Sequence, residues 1–103
     1  MKVELLYFEG CPSYEALLPE LRALLAEEGI AEAVELRQLG TVEDAERERF
    51  LGSPTVRVDG ADVEPGAAER EDFGMKCRLY RSSIGLEHLP PHEWIRAALQ
   101  GGG

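Results

Sequence analysis

Two cysteines, Cys11 and Cys77, are the residues of this chain most able to do covalent chemistry. A thiolate is both a nucleophile and a soft-metal ligand. Cys11 lies in Gly10-Cys11-Pro12-Ser13-Tyr14, between a short apolar run and a helix-like segment. Unpaired amides and the dipole at a helix start favour negative charge, which suits a nucleophilic sulfur. Glu9 and Glu15 stand on either side and oppose that effect, so the expected reactivity is mild. A thiolate that attacks a disulfide leaves a mixed disulfide, and Cys77 is the one internal sulfur that could resolve it, an external thiol being the other route. The same pair could hold mercury(II) or copper(I) linearly, which makes a metal-binding module the alternative. In the plainest reading Cys11 fills a turn, Cys77 packs as a small apolar residue, and the chain is a redox-inactive interaction protein.

Other residues add less. Lys76, Arg78 and Arg81 surround Cys77 and could steady a thiolate or an anionic group such as a glutathione-like carboxylate. Tyr7, Tyr14 and Tyr80 suit packing with a polar tip, and Tyr14 is placed to reach Cys11. His88 and His92 make no zinc spacing with the cysteines, and no phosphate loop, GxGxxG or Ser-His-Asp pattern occurs, so no cofactor is called for. Eleven basic against twenty acidic residues give a formal charge of −9, which excludes nucleic acid and anionic membrane as general partners. No apolar run approaches the ~20 residues of a bilayer span. The opening segment lacks the pattern of a signal peptide, and two cysteines are too few for a disulfide scaffold, so the chain is read as cytoplasmic.

The elements that would position these residues follow from periodicity. Residues 2–8 have a continuous apolar centre, as in a strand covered on both faces. From Tyr14 to Glu28, Ala16, Leu17, Leu18, Leu21, Leu24 and Leu25 form one apolar stripe of a helix, with Ser13 as its cap, a kink at Pro19 and Gly29 as terminator. Residues 33–39 alternate like a strand, and Thr41 caps a short charged helix. Asp59-Gly60 between alternating runs predicts a hairpin with strands at 55–59 and 61–64. Residues 66–75 read as an acidic loop, 76–81 as a strand, 82–91 as a turn, and 92–100 as a helix with Trp94, Ile95, Ala98 and Leu99 inward. The reading is a single α/β domain over 1–100, with a mixed four-stranded sheet, helices on both faces, an extended segment at 66–90 and a frayed tail at 101–103.

In this order of elements the chain resembles the thioredoxin-fold family. Gly10-Cys11-Pro12-Ser13-Tyr14 follows the first strand where that family keeps Cys-x-x-Cys, Pro19 stands where its kinking proline lies, and Ser53-Pro54-Thr55 opens a strand before a hairpin where it has a cis-proline loop. The chain is also similar to small bacterial thioredoxin-like proteins with an early GCP and a late Cys-Arg-x-Tyr, some of which carry names linking them to organomercurial lyase. The resemblance covers most of residues 2–65 and the last helix. It implies thiol–disulfide exchange with Cys11 as nucleophile, a disulfide-containing protein or low-molecular-weight thiol as partner, and substrate contacts from Pro12, Tyr14, Ser53, Pro54 and Arg78. It also implies a cis bond at Pro54 and a Ser53 backbone free to pair with an extended substrate peptide. Tyr14 in place of the second motif cysteine rules out a dithiol cycle within Cys-x-x-Cys, and the first strand lacks the family's buried acidic proton acceptor at its apolar centre.

Whether Cys77 reaches Cys11 depends on the hairpin. With a two-residue Asp59-Gly60 turn, the return strand brings Pro65 to the active-site edge and the loop 66–76 can carry Cys77 to Cys11. With residues 76–81 paired directly to 55–59, Cys77 is held ~13 Å away, beyond the ~7 Å limit for a disulfide. The strong Asp-Gly signal favours the first register.

Overall fold

The structure is a computed structural model, and it describes residues 1–83 and 85–101. Strand β1 (Val3–Tyr7) leads through α1 (Ser13–Glu27) to β2 (Glu35–Gln38), and α2 (Val42–Arg47) leads to β3 (Thr55–Val58). Then come β4 (Ala61–Asp62), a single 3₁₀ turn (Ala67–Glu69), the hairpin β5 (Tyr80–Ser82) and β6 (Gly85–Glu87), and α3 (His92–Gly101). The main sheet has the order β2-β1-β3-β4, with β1 parallel to β2 and antiparallel to β3. The mixed α/β architecture expected from the sequence is present.

Side-chain alternation along β1 splits the core in two. Val3 and Leu5, with Val56 and Val58 of β3, meet Leu17, Leu21, Leu24 and Leu25 of α1 and Ile95 and Leu99 of α3. On the opposite face Leu6 meets Leu39, Ala45 of α2 and Phe50. The short α2 covers only part of that face. Beside it, Glu4 is 3% exposed and pairs with Arg37 at 3.0 Å, and Arg37 pairs with Glu48 at 2.9 Å. Helices therefore lie on both faces, but one face is dry and the other is half ionic.

Local chemistry explains most boundaries. Thr41 Oγ1 accepts from the Asp44 amide at 3.0 Å, the expected cap of α2. Val58 pairs with Ala61 around Asp59 (φ 50°) and Gly60 (φ 85°), the two-residue turn that Asp-Gly predicts. Ser13 does not cap α1; it is the first helical residue, Pro12 holds the cap position, and no side chain bonds there. Proline suits such a place because its missing N–H would have had no helical partner. The predicted strand at 76–81 is not one strand: Cys77 forms an isolated bridge, and pairing resumes at Tyr80 against the segment read as a turn. Gly101 belongs to α3 rather than to a frayed tail, and residues 102–103 lie outside the described residues. The Cα radius of gyration, 12.7 Å, is that of one compact body of about 100 residues. Among the described residues no helix is long and apolar enough to cross a membrane.

Candidate functional site

Cys11 sits between the end of β1 and the start of α1, its amide donating to the Phe8 carbonyl at 3.3 Å. The residue is 2% exposed. Its Sγ donates to the Ser53 carbonyl at 3.7 Å, and the Ser53–Pro54 bond is cis. The helix start and the proline loop thus meet at the sulfur. On its outer side Tyr7, Glu9, Gly10, Pro12, Tyr14 and Glu15 line a shallow recess of about 510 Å³. The Tyr14 ring stacks on Tyr7 with centroids 3.9 Å apart. Its phenol is raised above its ordinary value by partial dehydration first and then by the charge of Glu15, so it stays protonated near neutrality. Pro12 is exposed at the rim.

Cys77 approaches from the far side of the same loop. Residues 74–78 run as a strap parallel to 50–53. The Gly74 amide donates to the Phe50 carbonyl at 3.0 Å, the Ser53 amide to the Lys76 carbonyl at 2.8 Å, and the Arg78 amide to the Ser53 carbonyl at 2.9 Å. This bridge pairs Ser53 with Cys77. Cys77 is exposed, and its thiol lies close enough to Cys11 for the two to interact. Partial dehydration raises the Cys77 thiol, and negative charge on Cys11 and the bond between the two raise it further. Both thiols are free, and they are neighbours. The Asp-Gly register delivers the juxtaposition that the alternative pairing forbids.

Two of the expected substrate contacts, Ser53 and Arg78, have their bonding groups engaged within the chain. Ser53 cannot pair with an incoming peptide while its N–H and C=O are both bonded to the strap. Leu51, Gly52, Ser53 and Pro54 are all buried under that cover. Arg78 cannot meet an anionic ligand either. Only 1% exposed, it donates to Thr55 Oγ1 at 2.9 Å, to both Asp62 oxygens at 2.7 and 3.1 Å, and to Glu64 at 3.2 Å. Its guanidinium also lies 4.4 Å from the centroid of the Tyr80 ring. Tyr80, fully buried, donates its hydroxyl to the Pro54 carbonyl. Lys76 is tied to Asp72 at 3.0 Å, and Arg81 stands exposed beyond the strap.

The residues that hold the strap were not singled out by sequence reasoning. Gly52 has φ 127°, and a Cβ there would lie 2.9 Å from the Lys76 carbonyl oxygen and 3.0 Å from the Arg78 Cβ. Glycine alone lets the two backbones approach this closely. A Gly immediately before Ser-Pro was the available signal. Asp62 and Glu64 carry no local pattern, because their partner is contributed from another part of the chain. Among the described residues no three His, Cys, Asp or Glu side chains gather in a metal-binding group. No family model matches the chain, and neither does any curated protein or solved structure.

Proposed function

We propose that this chain is a thioredoxin-like thiol–disulfide exchange protein whose working pair is Cys11 and Cys77. The observation that carries the reading is the placement of two free thiols within reach of each other across the Ser53 bridge. The sheet order, the helix starting after Cys11 and the proline loop against its sulfur support the family resemblance. In the reaction the protein dithiol becomes a disulfide and the partner R–S–S–R becomes two R–SH, with two electrons and two protons passing to the partner. The occupied Ser53 backbone favours a low-molecular-weight disulfide over an extended polypeptide. Reduced protein treated with a small uncharged disulfide should finish as an internally bridged chain that carries no adduct. Peptide mapping of a persistent adduct on the wild-type chain, or of two unchanged thiols, overturns the reading.

The same juxtaposition favours a second reading, linear capture of one soft ion such as mercury(II) or copper(I). Uptake of one ion per chain, lost on replacing either cysteine and unaccompanied by any exchange with disulfides, would select it. A redox-inactive interaction protein would show neither behaviour.

A further inference from the structure

The exchange reading leaves open which sulfur meets the partner, and the inference that follows rests on that reading. Displacement at a disulfide needs the attacking, central and leaving sulfurs roughly in line. The attacking atom must therefore face open space several ångströms deep. Cys11 meets this demand poorly: although it borders the recess, it is 2% exposed, its Sγ is bonded to the Ser53 carbonyl, and the strap closes its far side. Glu9 and Glu15 also line the recess that leads to it, adding negative charge on the outer approach. Cys77 stands on the outer surface of the strap.

We infer that Cys77 is the encounter thiol and that Cys11, buried beneath it, is the resolving thiol. In the first step the Cys77 thiolate attacks one sulfur of R–S–S–R, that bond breaks, and RS⁻ leaves into solvent and takes a proton. In the second, Cys11 loses its proton and attacks the Cys77 sulfur, the Cys77–SR bond breaks, and a second RS⁻ leaves outward. The geometry suits this order. Cys11 strikes from below, so the leaving group departs toward water, and the burial never has to house R. The opposite order would seat R on a nearly buried sulfur, in the recess flanked by Glu9 and Glu15. It also reverses the roles that a Gly-Cys-Pro motif at a helix start suggests.

The raised Cys77 thiol sets the pH behaviour of the encounter step. Little of it is ionised at neutral pH, so the first step gains rate as pH rises toward and through its elevated titration.

The test compares reduced wild-type protein, Cys11→Ser and Cys77→Ser in reaction with bis(2-hydroxyethyl) disulfide, an uncharged probe. Cys11→Ser should react with the probe, keep a stable adduct on residue 77 and release one equivalent of 2-mercaptoethanol, where wild type releases two. Cys77→Ser should react on the order of 10-fold more slowly. In denaturant the two variants should react alike, which assigns the difference to the fold. Cys11→Ala serves as a second variant should serine disturb the buried position. Equal or faster reaction of Cys77→Ser in the folded state overturns the assigned order while leaving the exchange reading intact. Absence of an internal bridge in the wild type overturns the exchange reading itself.

Discussion

The segment entering α1 and the strap at 74–78 each deliver a thiol to Ser53, yet different forces hold them. The first rests on the dry face, where Leu17, Leu21, Leu24 and Leu25 pack against β1 and β3. The second is latched by backbone bonds to the 50–53 loop and by the buried Arg78 fork on Asp62 and Glu64. Hydrocarbon burial is non-directional and tolerates small shifts. A buried ion pair does not, because loss of one partner leaves an uncompensated charge. Cys11 is thus held by a broad contact and Cys77 by a few specific ones.

The largest expected effect breaks the latch. Arg78→Ala leaves Asp62 without its buried cation and Glu64 with Arg70 alone, at 2.8 Å, and should cost about 3–5 kcal/mol in a urea melt. A loss under about 1 kcal/mol would show that the fork contributes little. Leu21→Ala tests the other support. It should cost about 2–4 kcal/mol, with the alkylation rate of Cys77 unchanged in the folded protein. If Cys77 labelling rises as much as in Arg78→Ala, the two supports are not separate. Gly52→Ala pushes the strap away directly, at roughly 1–3 kcal/mol. Hydrogen exchange at the Ser53 and Arg78 amides should accelerate relative to the β1 amides, and unaltered protection would mean the strap bends to fit.

Smaller effects sharpen the contrast. Cys11→Ser removes the Cys11 charge that helps raise the Cys77 thiol, so the pH profile of Cys77 alkylation should move toward lower pH. The sign follows because the thiolate is the reacting form and lifting a repulsive charge makes it easier to form. A profile that stays in place would mean that dehydration alone sets the value. Ser53→Ala should be smallest, within about 1 kcal/mol and neutral or stabilising in the same urea melt. Among the described residues its buried hydroxyl has no hydrogen-bond partner, while the backbone bonds to the strap do not need it. A marked loss would show that the hydroxyl is engaged.

The sequence signals that worked were local and chemical. Asp59-Gly60 set the hairpin register, Thr41 capped its helix, and the leucine spacing of α1 marked the buried stripe. The 76–81 segment shows why the rest was hidden. Its alternation is real, but the phase is inverted: Arg78 and Tyr80 point inward while Leu79 is 50% exposed. Hydropathy would bury the leucine and expose the arginine. The inversion is stable only because Asp62 and Glu64, supplied by a distant part of the chain, wait for the guanidinium. The hairpin of Tyr80–Ser82 with Gly85–Glu87 escaped for a related reason, since its strands are short and β6 is fully exposed. Cys11 and Cys77 stood out as candidates through thiol chemistry and, for Cys11, its place at a helix start, whereas the strap that occupies Ser53 depends on tertiary contacts without a sequence period.

The bridge between Ser53 and Cys77 also has a topological consequence. It places the two sulfurs so that joining them would close a ring of roughly 65 residues, which the loop-entropy relation values at about 4 kcal/mol against the unfolded chain. Oxidation would then act as a staple on the whole molecule, and the melting temperature would become a gauge of how many electrons the protein holds.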